Sequence, residues 1–264
     1  MYQYITFLGR KVAYRSDGEG ANVVLLHGFC EDSTIWDNFV EVLGNFRVIR
    51  IDLSGHGKSE VLPTDDIDLM AESVKAVLDA IKVTQCVMVG HSMGGYVAMA
   101  FAEKWPKMLQ GLGMFHSHPY ADSPEKKASR MKSLAFVEKF GRALYIKQLI
   151  PNLFANLFAT SNELLINQLI HNAIQYPSGA VVGALRAMLA RPDRSEVLKN
   201  IACPVLFIIG KQDTTVPYEL SMQQVSLPAV ADIHILPKVA HMGMFRSTNE
   251  TAAIVRNFVT MCSR

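Results

Sequence analysis

The sequence predicts an α/β protein with a mainly parallel, doubly wound sheet and an all-helical insertion. Three observations predict it. Short apolar or β-branched runs alternate with amphipathic segments over both ends of the chain, the pattern of strands joined by covering helices. Between about Pro119 and Asn200 the alternation stops and helical periodicity takes over. A G-x-S-x-G pentapeptide, Gly90 to Gly94, sits directly after one apolar run and directly before a helix-like stretch.

In chain order, Tyr2 to Leu8 and Lys11 to Arg15 read as a hairpin around Gly9-Arg10. Strands are expected at Val23–Leu26, Arg47–Ile51, Cys86–Val89, Leu109–Phe115, Val205–Ile209 and Asp232–Leu236. Helices are expected at Thr34–Leu43, Ile67–Ile81, Tyr96–Lys104, Pro217–Val225 and Asn249–Met261. Ser123-Pro124-Glu125 reads as an N-cap followed by proline at the first helical position. The periodicity beyond it runs through Phe140, Leu149, Leu165, Ile174, Val182 and Leu189, broken at Pro151, Pro177 and Pro192. The expected organisation is a core of residues 1–118 and 201–264, with residues 119–200 inserted as a helical cap.

Composition narrows the function. The chain has 264 residues, a net charge of +2 and no long basic run, so it offers no electrostatic footprint for nucleic acid or an acidic membrane. No apolar stretch reaches the length of a membrane span, and Met1 to Thr6 lacks the charged and apolar regions of a signal peptide. A cytoplasmic location is the expectation. Cys30, Cys86, Cys203 and Cys262 are scattered and read as reduced thiols rather than a disulfide framework. The sequence sets no oligomeric state.

The pentapeptide requires a sharp strand-to-helix turn that lifts the Ser92 hydroxyl out of the sheet, and only glycine fits two residues before and after it. A serine hydroxyl becomes a nucleophile when a base takes its proton and an acid fixes the tautomer of that base. Asp213, in Gly210-Lys211-Gln212-Asp213, and His241, in Ala240-His241-Met242, each follow an expected strand. Asp122 is the competing acid. The backbone N–H groups of Met93 and Phe29, the latter in the turn after Leu26, are the expected oxyanion donors. Cys30 would sit beside them as a bystander. His27, His56 and His91 read as hydrogen-bonders that fix loops.

Two motifs are set aside. Gly57-Lys58-Ser59 resembles the end of a phosphate loop, but the position requiring its first glycine holds Asp52 and no helix pattern follows. His116-Ser117-His118 could place two imidazoles on one strand face, yet no third metal ligand lies nearby. A place on the pocket rim, where the cap begins, is the better expectation. No metal and no cofactor is expected.

Taken together, His27-Gly28-Phe29, Asp52 to Ser59, Gly90 to Gly95, Gly210 to Asp213 and Ala240-His241 stand in the order and spacing of the α/β-hydrolase fold. The chain resembles that superfamily over essentially its whole length, and within it the small bacterial esterases and lactonase-like members with a helical cap. Ser54 departs from the proline or arginine usual there. The resemblance implies a serine hydrolase acting on a small to medium carboxylic ester, thioester or lactone through Ser92, His241, Asp213 and an acyl-enzyme. It also implies two alternatives: a ligand sensor that keeps the triad and signals to a partner, or C–C bond hydrolysis or a lyase step by the same triad. The expected partner is a small-molecule substrate, held between sheet edge and cap in an apolar pocket walled by Phe29, Trp36, Met93, Phe154, Phe158, Met188 and Met242.

Overall fold

The computed structural model describes residues 1–263. Eight strands form one sheet: β1 (Gln3–Phe7), β2 (Arg10–Asp17), β3 (Asn22–Leu26), β4 (Arg47–Ile51), β5 (Cys86–His91), β6 (Leu109–Phe115), β7 (Val205–Gly210) and β8 (Ala231–Leu236). Their order across the sheet is β1-β2-β4-β3-β5-β6-β7-β8. β2 pairs antiparallel with β1 and β4, and every pairing from β4 through β8 is parallel. The central strands are buried on both faces, which is why Val23 to Leu26, Val87 to Val89 and Val205 to Ile209 are unbroken apolar runs rather than alternating ones.

The chain winds from β3 to β4 on one side and returns to β5 on the other. The strand order therefore reverses between β3 and β5. Loops leaving the carboxyl ends of those two strands diverge there and leave a crevice, the usual ligand position in an open α/β sheet. The loops in question carry Phe29 and Ser92.

Core helices cover the sheet: α1 (Asp37–Val42), α2 (Ile67–Ala80) and α3 (Met93–Lys104). The segment expected as one helix from Thr34 splits into a 3-10 turn, Ser33–Trp36, and α1. Asp32 caps that turn by accepting from the Thr34 N–H at 2.9 Å. Trp36 is fully buried, edge-on to Phe39 and Phe115 at 5.0 and 5.5 Å between ring centres. Such edge contacts add about 0.5–1.5 kcal/mol each beyond burial.

Five helices lie between β6 and the final approach to β7: α4 (Pro124–Phe140), α5 (Arg142–Leu149), α6 (Asn156–Ser161), α7 (Glu163–Ala173) and α8 (Ser178–Ala190). Ser123 caps α4 from its side chain to the Lys126 N–H at 3.2 Å, with Pro124 at the first helical position. Pro151 opens a 3-10 turn, Ile150–Leu153, and Pro177 immediately precedes α8. These helices form the cap. α9 (Ser195–Asn200) packs on α3 in the core. After β7 come α10 (Tyr218–Gln224), a single turn α11 (Gly243–Arg246) and α12 (Thr248–Cys262). Among the described residues no helix is long and apolar enough to cross a membrane.

Candidate active site

Ser92 terminates β5 and immediately precedes α3, with φ 50° and ψ −114°. A non-glycine residue at positive φ is strained, and this strain holds the side chain clear of the sheet. The turn closes because its flanks have no side chains. A Cβ on Gly90 would lie 2.3 Å from the Gly94 carbonyl oxygen, and one on Gly94 would lie 2.5 Å from that of Leu26. α3 begins at Met93 rather than Tyr96, since the turn feeds straight into the helix.

His241 and Asp213 converge from the loops after β8 and β7. Nδ1–H of His241 donates to Asp213 Oδ2 at 2.7 Å, which leaves Nε2 as the basic nitrogen of the neutral ring. The second oxygen, Oδ1, accepts the N–H groups of Thr215 and Val216 at 2.8 and 2.9 Å. Burial works against the Asp213 charge, but the imidazoles of His241 and His116 hold its carboxyl well below the usual range. Ser92 and His241 line the same cavity, of about 340 Å³, between sheet and cap. Asp122 sits elsewhere, paired with Arg130 and Arg191.

The N–H groups of Phe29 and Met93 donate to no protein acceptor among the described residues. The loop carrying Phe29 is fixed by His91, one of the histidines expected to fix loops, together with Glu31, which the sequence does not single out. Glu31 Oε2 accepts the Gly28 N–H at 2.7 Å and contacts His91 Nδ1 at 2.9 Å. His91 Nε2 in turn lies 3.0 Å from the backbone carbonyl of His241. Both partners of His91 are acceptors only, so both ring nitrogens must donate, and the ring is an imidazolium. Burial opposes that charge, but Glu31 raises the His91 pKa above its ordinary value, and His91 lowers that of Glu31 against the same penalty. One buried ion pair thus braces the Phe29 loop against the His241 loop. Glu31 follows the His-Gly turn by three residues in sequence, and that local carboxylate was the available signal.

His27 and His56 hydrogen-bond locally. His27 Nδ1–H donates to the Gly28 carbonyl at 2.7 Å, and its Nε2 accepts the Leu53 N–H at 2.8 Å. His56 Nδ1–H donates to the Ser54 carbonyl and its Nε2 accepts the Cys30 N–H at 3.3 Å; burial, reinforced by His27, pushes it down to about 4. His116 has Nδ1 3.4 Å from Asp213 Oδ2, whereas His118 Nε2 meets the Tyr96 hydroxyl at 3.2 Å. The two imidazoles therefore face different partners. Among the described residues no group of three or more potential ligands is placed to hold a metal ion. Cys30 is buried at φ 59°, and burial raises its thiol well above the ordinary range, against thiolate chemistry.

The cavity wall differs from the apolar one expected. Of the seven residues proposed for it, Phe29 and Met188 line the cavity. Trp36 lies beneath the sheet loops against Phe39 and Phe115. Phe154 stacks on Phe158 within the cap at 5.4 Å, while Met93 and Met242 are packed into the core. In their place the cap supplies Lys126, Ser129, Arg130 and Ser133 from α4, and Tyr145 and Gln148 from α5. Leu149, Leu153 and Leu185 line it as well, so the wall mixes apolar and polar groups.

This reversed sheet order, strained serine and adjoining His–Asp pair define an α/β hydrolase, and the chain belongs to that family: the alpha/beta hydrolase profile matches residues 23–254. It is similar to a 2-hydroxy-6-oxononadienedioate/2-hydroxy-6-oxononatrienedioate hydrolase from Pseudomonas sp, 26% identical over 90% of this chain and 87% of the relative. A 2-hydroxy-6-oxo-6-phenylhexa-2,4-dienoate hydrolase from Comamonas testosteroni is 27% identical over 94% of this chain and 91% of its own. Among solved structures, a thermophilic esterase from Thermogutta terrifontis superposes with a TM-score of 0.93 at 27% identity, covering 100% of both chains.

Proposed function

We propose that the chain is a serine hydrolase that cleaves a small carbonyl substrate through Ser92, His241 and Asp213. One observation carries the reading: Ser92, the Asp213-bound His241 and Phe29 line one cavity, and the N–H groups of Phe29 and of Met93, next to Ser92 in the chain, are unengaged among the described residues. His241 Nε2 takes the Ser92 proton as Oγ attacks the carbonyl carbon. The Phe29 and Met93 amides receive the oxyanion, an arrangement worth about 3–4 kcal/mol per donor in comparable sites. His241 then protonates the leaving group. Water, deprotonated by the same nitrogen, attacks the acyl-enzyme and releases the acid.

A carboxylic ester, thioester or lactone is the first reading, supported by the esterase from Thermogutta terrifontis. C–C bond hydrolysis is the second. The substrates named for the Pseudomonas and Comamonas relatives carry ketone and enol oxygens but no ester, so water can divide them only at a carbon–carbon bond. The test is a panel of esters, thioesters, lactones and vinylogous diketones, assayed with wild type and Ser92→Ala. Turnover of one class, reduced by roughly 10⁴-fold or more in Ser92→Ala, is the expected result. Full turnover by Ser92→Ala overturns the proposal, and one stoichiometric acylation without turnover points instead to a ligand sensor.

A further inference from the structure

α4 presents Lys126, Ser129, Arg130 and Ser133 to the cavity, spaced i, i+3, i+4 and i+7 along one helical face. A helix that closes over a core ordinarily buries an apolar stripe on that face. Here two of the four are cations, and their hydrogen-bonding capacity is incompletely used. Arg130 gives Nε and Nη2 to Asp122, at 2.5 and 3.5 Å, while its Nη1 meets only the Met188 thioether at 3.3 Å. A thioether is a weak acceptor. The Lys126 ammonium has three donors, and the single acceptor it reaches among the described residues is the Thr215 carbonyl at 3.2 Å.

The charges at this end of the cavity do not balance. Asp122 is buried and shared between Arg130 and Arg191, whose Nη2 lies 2.8 Å from Oδ1. Arg191 also covers the Tyr96 ring at 3.9 Å. Three cations therefore face one carboxylate. The nearby acids are occupied, Glu31 by His91 and Asp213 by His241. Burial, reinforced by Arg130, lowers the Lys126 pKa, and burial with Arg191 pushes His118 down to about 3. Partly desolvated cations with free donors are costly unless an anion joins them.

Resting on the hydrolase reading above, we propose that Lys126 and Arg130 form a carboxylate-binding subsite at the cap side of the Ser92 cavity, so that the natural substrate carries a carboxylate beyond its reacting carbonyl. The Arg130 Nη1 and Lys126 Nζ donors can each take one oxygen of a planar carboxylate. The cavity of about 340 Å³ fits a short acid with one such group rather than a long acyl chain. The subsite sits on the lid and Ser92 on the sheet, so an anionic substrate bridges the two when it binds.

Binding and turnover test this separately. The affinities of methyl hydrogen succinate and its neutral dimethyl ester for Ser92→Ala are compared by calorimetry. The ratio of kcat/KM for mono-4-nitrophenyl succinate over 4-nitrophenyl butyrate is measured with active enzyme. The acid is expected to bind more tightly, and the anionic ester to be preferred. Lys126→Gln, which leaves Asp122 untouched, and Arg130→Gln should each weaken binding of the acid and cut the kcat/KM ratio by about 10–100-fold, the loss of one charge-assisted hydrogen bond. Lys127→Gln removes the same charge from an exposed neighbour and should leave affinity, ratio and activity at wild-type values.

Equal affinity for acid and neutral ester, no effect of either variant, or an equal effect of Lys127→Gln would overturn the subsite. Tighter binding of inorganic phosphate through the same two residues would overturn its assignment to carboxylate. Selective acid binding in a protein that turns over none of these esters would sustain the subsite while the hydrolase reading fails. Ser92-dependent turnover without anionic preference would do the reverse.

Discussion

Glu31→Gln perturbs the ion pair that joins the loops carrying Phe29 and His241. In the wild type one oxygen of Glu31 accepts from both the Gly28 N–H and His91 Nδ1–H, and His91 Nε2–H donates to the His241 carbonyl. A neutral glutamine no longer supports the imidazolium, and a neutral imidazole has only one N–H. If Nδ1 keeps the proton, the Nε2 lone pair faces the His241 carbonyl; if Nε2 keeps it, the contact to the Gly28 loop must be remade. One charge-assisted hydrogen bond is lost in either case. The pair is almost wholly buried, with side-chain exposures of 0% and 4%, so solvent does not screen the loss. The expected cost is about 1.5–3 kcal/mol, or a fall in Tm of roughly 3–12 °C for a chain of this size.

The pH dependence separates this pair from ordinary packing. His91 has a folded pKa raised above 6.5, so its contribution is complete below that value and is lost as pH rises through the folded pKa. Glu31 has a folded pKa lowered below 4.5, so its contribution is complete above that value and is lost as pH falls through the folded pKa. The Tm difference between wild type and Glu31→Gln should therefore be largest between about pH 4.5 and 6.5 and shrink on either side. Because Gly28 precedes Phe29, the proposed oxyanion donor, kcat should fall about 10–100-fold with a smaller change in KM. Differential scanning calorimetry at several pH values and steady-state kinetics read these effects. A pH-independent Tm difference with unchanged kcat would refute the brace.

Two further predictions follow from the same geometry. In Asp213→Asn the two amides of Thr215 and Val216 hold the asparagine oxygen at the Oδ1 position, so its NH₂ faces His241 and forces the proton onto Nε2; kcat should fall roughly 10⁴-fold with the fold intact by circular dichroism, and retention of a tenth of wild-type activity would exclude the role given to Asp213. His56 and His116 have folded pKa values of about 4 and His118 about 3, against 6.5 unfolded, so the unfolded chain takes up protons that the native one refuses as pH drops below 6.5. Stability from these three groups is present above that pH and should fall toward pH 5 with a slope approaching roughly 4 kcal/mol per pH unit, read from urea midpoints; a flat profile from pH 7 to 5 would contradict their buried neutral state.

Much of this architecture was legible because its causes are local. The buried runs of β3, β5 and β7 admit no alternation, and the Gly90 to Gly94 spacing is dictated by backbone contact within one turn. Ser123-Pro124 announced α4 by capping chemistry alone. The pocket wall was not legible, because it depends on which face of a helix meets which loop. Trp36, Phe154 and Phe158 are large and apolar, and those properties suit a core as well as a substrate wall; in the structure they fill cores. The informative pattern lay instead in Lys126, Ser129, Arg130 and Ser133, polar residues on one helical face. That spacing is visible in the sequence, but its direction is not. Asp122 shows the converse: a plausible acid after β6 whose partners come from α4 and the segment after α8, far along the chain.

The backbone of His241 is held from both sides. Its carbonyl is tied to His91, and its N–H donates to the Leu153 carbonyl of the cap at 3.0 Å. The proposed general base and the lid are thus registered to each other through the His241 backbone. A cap that swings away to exchange substrate for product cannot leave this backbone as it is: either the Ile150–Leu153 turn stays behind while the helices move, or the bond breaks and His241 loses its tie to the cap. Exchange through the lid and alignment of the proposed base are in that sense linked, and substitutions at the 150–153 turn should be felt at the imidazole as well as in the cavity wall, to which Asn152 and Leu153 belong.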